Sequence, residues 1–268
     1  MNAAPAPDFA ALHAAMQRWV DGGFLAGVSI ALWRDGAPVH LHCTGQADRE
    51  RGEALREDHL FRLFSSTKLF TSIAALLLME DRRLDLDDAV ERFLPGLAAR
   101  RVLRTGASSI DDTEPARGPI TIAQLMSHSA SLAYGLLDPG SLLYEAYTKQ
   151  RILARDTTLE QMVQALALLP HNRLSAGCWQ QFPDRGVLRG RAHGLAGGLV
   201  LEPGAQDDAR SAGEIYWGGM AGTQWWIAPR LGLAGALMTQ RFRGYGDPFV
   251  ADLKREAYRA LLGPAPGA

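Results

Sequence analysis

Two residues set the chemistry open to this chain. Ser65 and Lys68 stand three apart in Leu-Phe-Ser-Ser-Thr-Lys-Leu-Phe, residues 63–70. On a helix, positions i and i+3 share a face, so a lysine amine there reaches the serine hydroxyl. A serine hydroxyl is a weak nucleophile until a neighbour takes its proton. Lysine can do so when burial or a nearby cation lowers its pKa. The run Ile73, Ala74, Leu76, Leu77, Leu78 predicts a helix from Ser65 to about Arg82 that enters a core and buries the amine. The helix N-terminus adds a positive potential that favours a neutral amine and a bound oxyanion. The same spacing also suits a serine N-cap with a solvated lysine, so the rest of the chain has to decide.

The totals narrow the classes. With 268 residues and 47% hydrophobic side chains there is material for one large domain or two small ones. A net charge of −1 excludes a basic surface of the kind that holds nucleic acid. Cys43 and Cys178 make no disulfide framework and read as reduced, buried thiols. The N-terminal residues lack a basic n-region and an apolar h-region, and no apolar run reaches membrane length, so a cytoplasmic protein without membrane partner is expected.

The elements that must position Ser65 follow from periodicity. Phe9, Leu12, Met16, Trp19 and Val20 predict a helix stopped by Gly22-Gly23. Val28–Arg34 and Val39–Thr44 read as strands joined by Asp35-Gly36, a hairpin signal. His40 and His42 share a strand face, but Cys43 points away and no further ligand is spaced to join them, so no metal is expected. Asp87 or Asp88 reads as the N-cap of a short helix ended by Pro95, and Arg100–Pro119 as a polar loop. Thr121 should cap Ile122–Met126; His128 after it reads as a structural residue in a tight loop. Helices are expected at Leu142–Leu153 and Thr158–Leu169, the second stopped by Pro170. Strands should follow at Gly194–Leu201, Glu214–Trp217, Thr223–Ala228 and Leu231–Met238, then a helix opened by Asp247 or Pro248. This order predicts an α+β fold: one antiparallel sheet built from N- and C-terminal strands, terminal helices on one face and a helical region on the other.

Several segments together resemble the serine β-lactamase-like hydrolases: class C β-lactamases, penicillin-binding D-alanyl-D-alanine peptidases and family VIII carboxylesterases. The likeness is closest to the esterase branch. It is carried by Phe64-Ser-Ser-Thr-Lys68, Leu84-Asp-Leu-Asp-Asp88 with Phe93-Leu-Pro95, and Leu125-Met-Ser-His-Ser-Ala-Ser-Leu132, which is similar to the family's "LLTHTSGL". Tyr216-Trp-Gly-Gly219, Trp226-Ile-Ala-Pro229 and Met238-Thr-Gln240 complete it. Order and spacing agree over about residues 10–169 and 190–262. The resemblance implies residues 1–60 and 190–268 as the sheet part and 61–189 as the helical part. It implies Ser65 as nucleophile, Lys68 as base, and the backbone N–H groups of Ser65 and Met220 as the oxyanion hole. Trp217, Gly218 and Gly219 would line the substrate, the glycines letting it lie against the strand. No cofactor is implied.

One departure matters. The family's Tyr-x-Asn or Ser-x-Asn motif is absent, and the jump from Pro170-His171 to Asn172 suggests an internal deletion in the helical region. Tyr134 is the nearest stand-in for the missing tyrosine. The expected activity is therefore hydrolysis of small esters, or amides, through an acyl-enzyme on Ser65. The alternative is a catalytically impaired or inactive relative. A β-lactamase or D-alanyl-D-alanine peptidase ranks below both, because Trp217-Gly-Gly replaces Lys-Thr-Gly and removes the cation that would meet a substrate carboxylate. Apolar surface left by a shortened helical region would suit a second copy of the chain, a homo-oligomer.

Overall fold

The computed structural model describes residues 6–133, 139–172 and 190–265. The chain divides into two compact units, Met1–Thr71 with Arg185–Ala268, and Ser72–Asp184.

The first unit is a sheet with two helices. Helix α1 (Ala10–Asp21) leads into β1 (Gly27–Arg34), β2 (Ala37–Asp48) and the short β3 (Glu53–Ala54). The C-terminal part supplies β6 (Arg191–His193), β7 (Gly198–Val200), β8 (Ile215–Gly218), β9 (Gln224–Ala228), β10 (Leu233–Met238) and α6 (Pro248–Leu262). The eight strands form one sheet in the order β3-β2-β1-β10-β9-β8-β7-β6. Each neighbouring pair is antiparallel. The expected union of the two ends of the chain is the pairing of β1 with β10, Ile30 opposite Leu237.

The hairpin signal works as its chemistry requires. Asp35 (φ 51°) and Gly36 (φ 80°) both take the left-handed region, the geometry of a type I′ turn. Val28, Ile30 and Leu32 alternate onto the buried face and meet Leu12 and Met16 of α1 and Phe249, Leu253 and Tyr258 of α6. Glu214 is fully buried under α6, bonded by Lys254 and Tyr258. One cation, Lys254, and the Tyr258 phenol compensate what would otherwise be a costly burial. Beside them Arg210 pairs with Asp208, and its guanidinium bonds the carbonyls of Leu262 and Gly263.

The Ser72–Asp184 unit contains a two-stranded ribbon, β4 (Arg101–Leu103) with β5 (Thr113–Pro115), and helices α3 (Ile122–Met126), α4 (Leu142–Lys149) and α5 (Leu159–Ala167). Capping boxes start α3 at Thr121/Gln124 and α5 at Thr158/Gln161. The ribbon lies inside the stretch expected to be loop; its short strands carry no alternation long enough to read. His171 continues it, bridging Val102 in parallel and bonding Arg101 and Leu103. The backbone at Pro170-His171 is thus tied into this unit.

Three expectations need correction. Asp87 and Asp88 cap no α-helix: the segment makes 3₁₀ turns at Val90–Arg92 and Pro95–Leu97, and the Asp88 carboxylate instead accepts from the Asp85 N–H. The helix after Ser65, α2 (Lys68–Glu80), does not enter a core: Ser72 is its one buried residue among those described, and Phe70, Ile73, Leu76 and Leu77 are exposed. An apolar run defines a helix, but its partner is set by the rest of the fold. Cys43 is half-buried rather than buried; Cys178 lies outside the described residues.

Candidate active site

Ser65 sits in a 3₁₀ turn, Phe64–Thr67, that runs directly into α2. Phe64, just before it, has φ 50°. That left-handed conformation costs a non-glycine residue about 1–3 kcal/mol and must be held by its surroundings. Lys68 Nζ donates to Ser65 Oγ at 3.0 Å, the contact the spacing predicts.

What holds the turn comes from the far end of the chain. Gln240 grips the backbone of Arg62 from both sides: its Oε1 accepts from Arg62 N–H at 3.1 Å, and its Nε2 donates to the Arg62 carbonyl at 3.3 Å. Thr223 Oγ1 donates to the Leu63 carbonyl at 2.9 Å, and Ser66 Oγ lies 2.9 Å from Thr223 Oγ1. Ser66 and Thr223 are buried, so each needs the other as a partner. Sequence reasoning noted Met238-Thr-Gln240 only as a family likeness, offered Ser66 only as an alternative N-cap and placed Thr223 only at a strand start. A buried serine beside the reactive one offers no local pattern to read.

Trp217 and Gly218 end β8, and the chain turns through Gly219 and Met220 into β9. The glycines have a reason inside the fold as well. A Cβ on Gly219 would stand 2.1 Å from the Leu63 carbonyl oxygen and 2.3 Å from Thr223 Oγ1. A Cβ on Gly218 would stand 2.5 Å from the Gln224 amide. The space serves the chain's own serine turn and a neighbouring side chain, so strand end and serine turn are pressed together. Gly222 N–H donates to the Gly219 carbonyl at 2.9 Å. The planar trans peptide therefore points the Met220 N–H the opposite way.

His193, which sequence reasoning passed over, ends β6. Its ring stands edge-on to Trp217, centroids 5.0 Å apart. Its Nδ1 lies 2.6 Å from the Gly194 carbonyl. Burial lowers its pKa below the ordinary histidine value; the Gly194 carbonyl raises it in part, and Lys68, in its protonated form, adds a smaller lowering. The one sequence signal was a histidine opening the strand run at His193-Gly-Leu-Ala-Gly-Gly198. Tyr134 lies outside the described residues.

Elsewhere in the sheet unit, His40 and His42 stack with His13 of α1, and His13 Nε2 is 3.0 Å from His40 Nε2. No group of metal-binding side chains forms among the described residues, and no helix among them is long and apolar enough to cross a membrane. His128 takes the left-handed position (φ 56°) closing α3, with its N–H bonded to Leu125 and that of Ser129 to Gln124.

An antiparallel sheet bearing a serine–lysine pair at a helix start defines the class. The chain belongs to the beta-lactamase family, whose profile matches residues 12–180. Esterase EstB of Burkholderia gladioli is 33% identical over 157 residues, 58% of this chain and 37% of that protein. Lovastatin esterase of Penicillium rubens is 37% identical over 135 residues, 48% of this chain and 34% of that protein. The chain thus spans about a third of the length of the curated relatives it matches. Among solved structures, EstCE1, a hydrolase with promiscuous acyltransferase activity, superposes with a TM-score of 0.72 over 92% of this chain and 97% of that one, at 17% identity; the likeness is one of fold.

Proposed function

We propose that the protein is a serine hydrolase of small esters that works through an acyl-enzyme on Ser65. The observation that carries this is the 3.0 Å line from Lys68 Nζ to Ser65 Oγ. With the amine neutral, the serine proton moves along that line to Nζ as Oγ attacks the ester carbonyl carbon. The oxyanion that forms is held by the N–H groups of Ser65 and Met220, presented by the serine turn and the β8–β9 turn that Gly219 and Thr223 fasten together. Trp217, Gly218 and Gly219 flank the substrate. Two relatives are named as esterases, which supports an ester as substrate. Penicillins and D-alanyl peptides rank lower, because the side chain at 217 is an indole where a lysine would greet their carboxylate. No cofactor is needed for these steps.

The test is covalent labelling. Incubation with a fluorophosphonate should add one adduct, located on Ser65 by peptide mass spectrometry, and p-nitrophenyl butyrate should release p-nitrophenol. Ser65→Ala should lose both. An adduct elsewhere, or none on folded protein, returns the chain to the non-catalytic alternative.

A further inference from the structure

Three histidines of the sheet unit stand in one row, and the chemistry at Ser65 uses none of them. We propose that His13, His40 and His42 are a pH-sensitive latch that holds the start of α1 on β2 at neutral pH and lets it go in acid. The latch does not depend on an acyl-enzyme at Ser65, so its test needs no turnover.

The row joins one helix face to one strand face. Phe9, the N-cap, His13 and Gln17 follow one another at four-residue steps and line one side of α1. His40, His42 and Thr44 alternate along β2 and share the face toward them. Phe9 lies flat on His40, centroids 3.8 Å and planes 10° apart. His13 lies on His42 at 3.8 Å and 20°. The His13 Nε2 meets the His40 Nε2 at 3.0 Å. Thr44 Oγ1 donates to Gln17 Oε1 at 2.5 Å and ends the row.

The number of protons decides whether the row holds. Two ring nitrogens 3.0 Å apart are hydrogen-bonded only when one carries a proton and the other a lone pair. Two neutral rings meet that condition, and so does the pair with one added proton. A second added proton sets N–H against N–H and cation against cation. His42, stacked on the same His13, adds a third ring that can charge. Among the described residues, little on the neighbouring elements offsets those charges. The first turn of α1 has no acidic residue, and the helix dipole is positive there. Asp8, just before it, accepts from the Ala10 N–H. Beyond β3, Glu57 favours a charge on His42, but burial and His13 both outweigh it. Burial first, and then His13, lower His40 and His42 below the ordinary 6.5. Folded values below the unfolded one mean stability that is complete above pH 6.5 and is lost as pH falls beneath it. Leu12, Ala15 and Met16 are fully buried in the sheet core, so acid frees the start of the helix and not the whole of it.

Hydrogen exchange by NMR on the intact protein tests this, with opening constants compared at pH 7.0 and pH 5.0 and the histidine ring signals followed between them. In wild type the amides from His13 to Gln17 should lose protection by about tenfold or more at pH 5.0, one such factor for each pKa unit of depression. Those from Leu253 to Leu261 of α6, which share the core, should keep theirs. The His13 and His40 rings should titrate as a coupled pair, the second proton entering well below the first. His13→Gln sets an amide that takes up no proton beside His40, so its helix start should stay protected at pH 5.0. An acid loss in folded His13→Gln equal to that of wild type overturns the latch. So does wild-type protection at His13 to Gln17 that holds until α6 opens as well. Three rings that titrate independently near pH 6.5 overturn it too; these last two readouts come from wild type and stand even where the variant fails to fold.

Discussion

The two units are built differently. Among the described residues, one continuous cluster of sixteen buried side chains fills the sheet unit, from Leu12 to Leu261. The Ser72–Asp184 unit has two separate small clusters, one around Val90 and Ile120 and one around Leu143 and Tyr147. It also leaves Leu159 and Leu168 about four-fifths exposed, at 78% and 80%. Continuous burial gives cooperative stability, whereas divided cores open locally at lower free energy. The serine turn is fastened by hydrogen bonds to the better-built unit, through Thr223 and Gln240. A site that must hold Phe64 in a strained conformation gains from that anchorage.

The comparison can be broken most sharply with acid. His171, 1% exposed in the Ser72–Asp184 unit, is pushed down to about 4 by burial and then by the Arg100 cation. In the unfolded chain its imidazole takes a proton near pH 6.5; in the folded unit it resists until about pH 4. The stability it contributes is therefore present above 6.5 and is lost as pH falls through that window, roughly 3 kcal/mol in all. Hydrogen exchange at pH 7 and pH 4.5 should show α4 and α5 losing protection before β1 and β10. His171→Leu should flatten the change, and equal loss in both units would refute the contrast.

A smaller effect, about 1–3 kcal/mol, is expected from Thr223→Val. It leaves the buried Ser66 hydroxyl and the Leu63 carbonyl each short of a partner. Fluorophosphonate labelling of Ser65 should slow by more than the shift in Tm explains, because the loss falls on the turn that carries the nucleophile. Labelling at the wild-type rate would mean the turn keeps its shape without this bond. The least effect is expected from Leu168→Ser, within about 0.5 kcal/mol by urea unfolding, since that side chain is already in solvent. A loss of more than 1 kcal/mol would show that its surface is covered in solution, as in a homo-oligomer.

What the sequence by itself determined is what short spacing decides. Ser65 and Lys68 meet because three residues of helical backbone bring them together. Asp35-Gly36 turns because both positions accept positive φ, and the capping boxes at Thr121 and Thr158 close within one turn. Val28–Arg34 reads as a strand from its own apolar run, and that strand forms as β1. Only the tertiary structure decided where those pieces go. It gave the apolar residues of α2 no core, and set Gln240 on Arg62 across 178 residues and Thr223 on Leu63 across 160. It also placed His193 beside Trp217. Local rules act over one helical turn or one hairpin, where few conformations compete. A contact between distant residues exists only once the whole sheet has fixed its strand order, and no spacing in the sequence encodes that order.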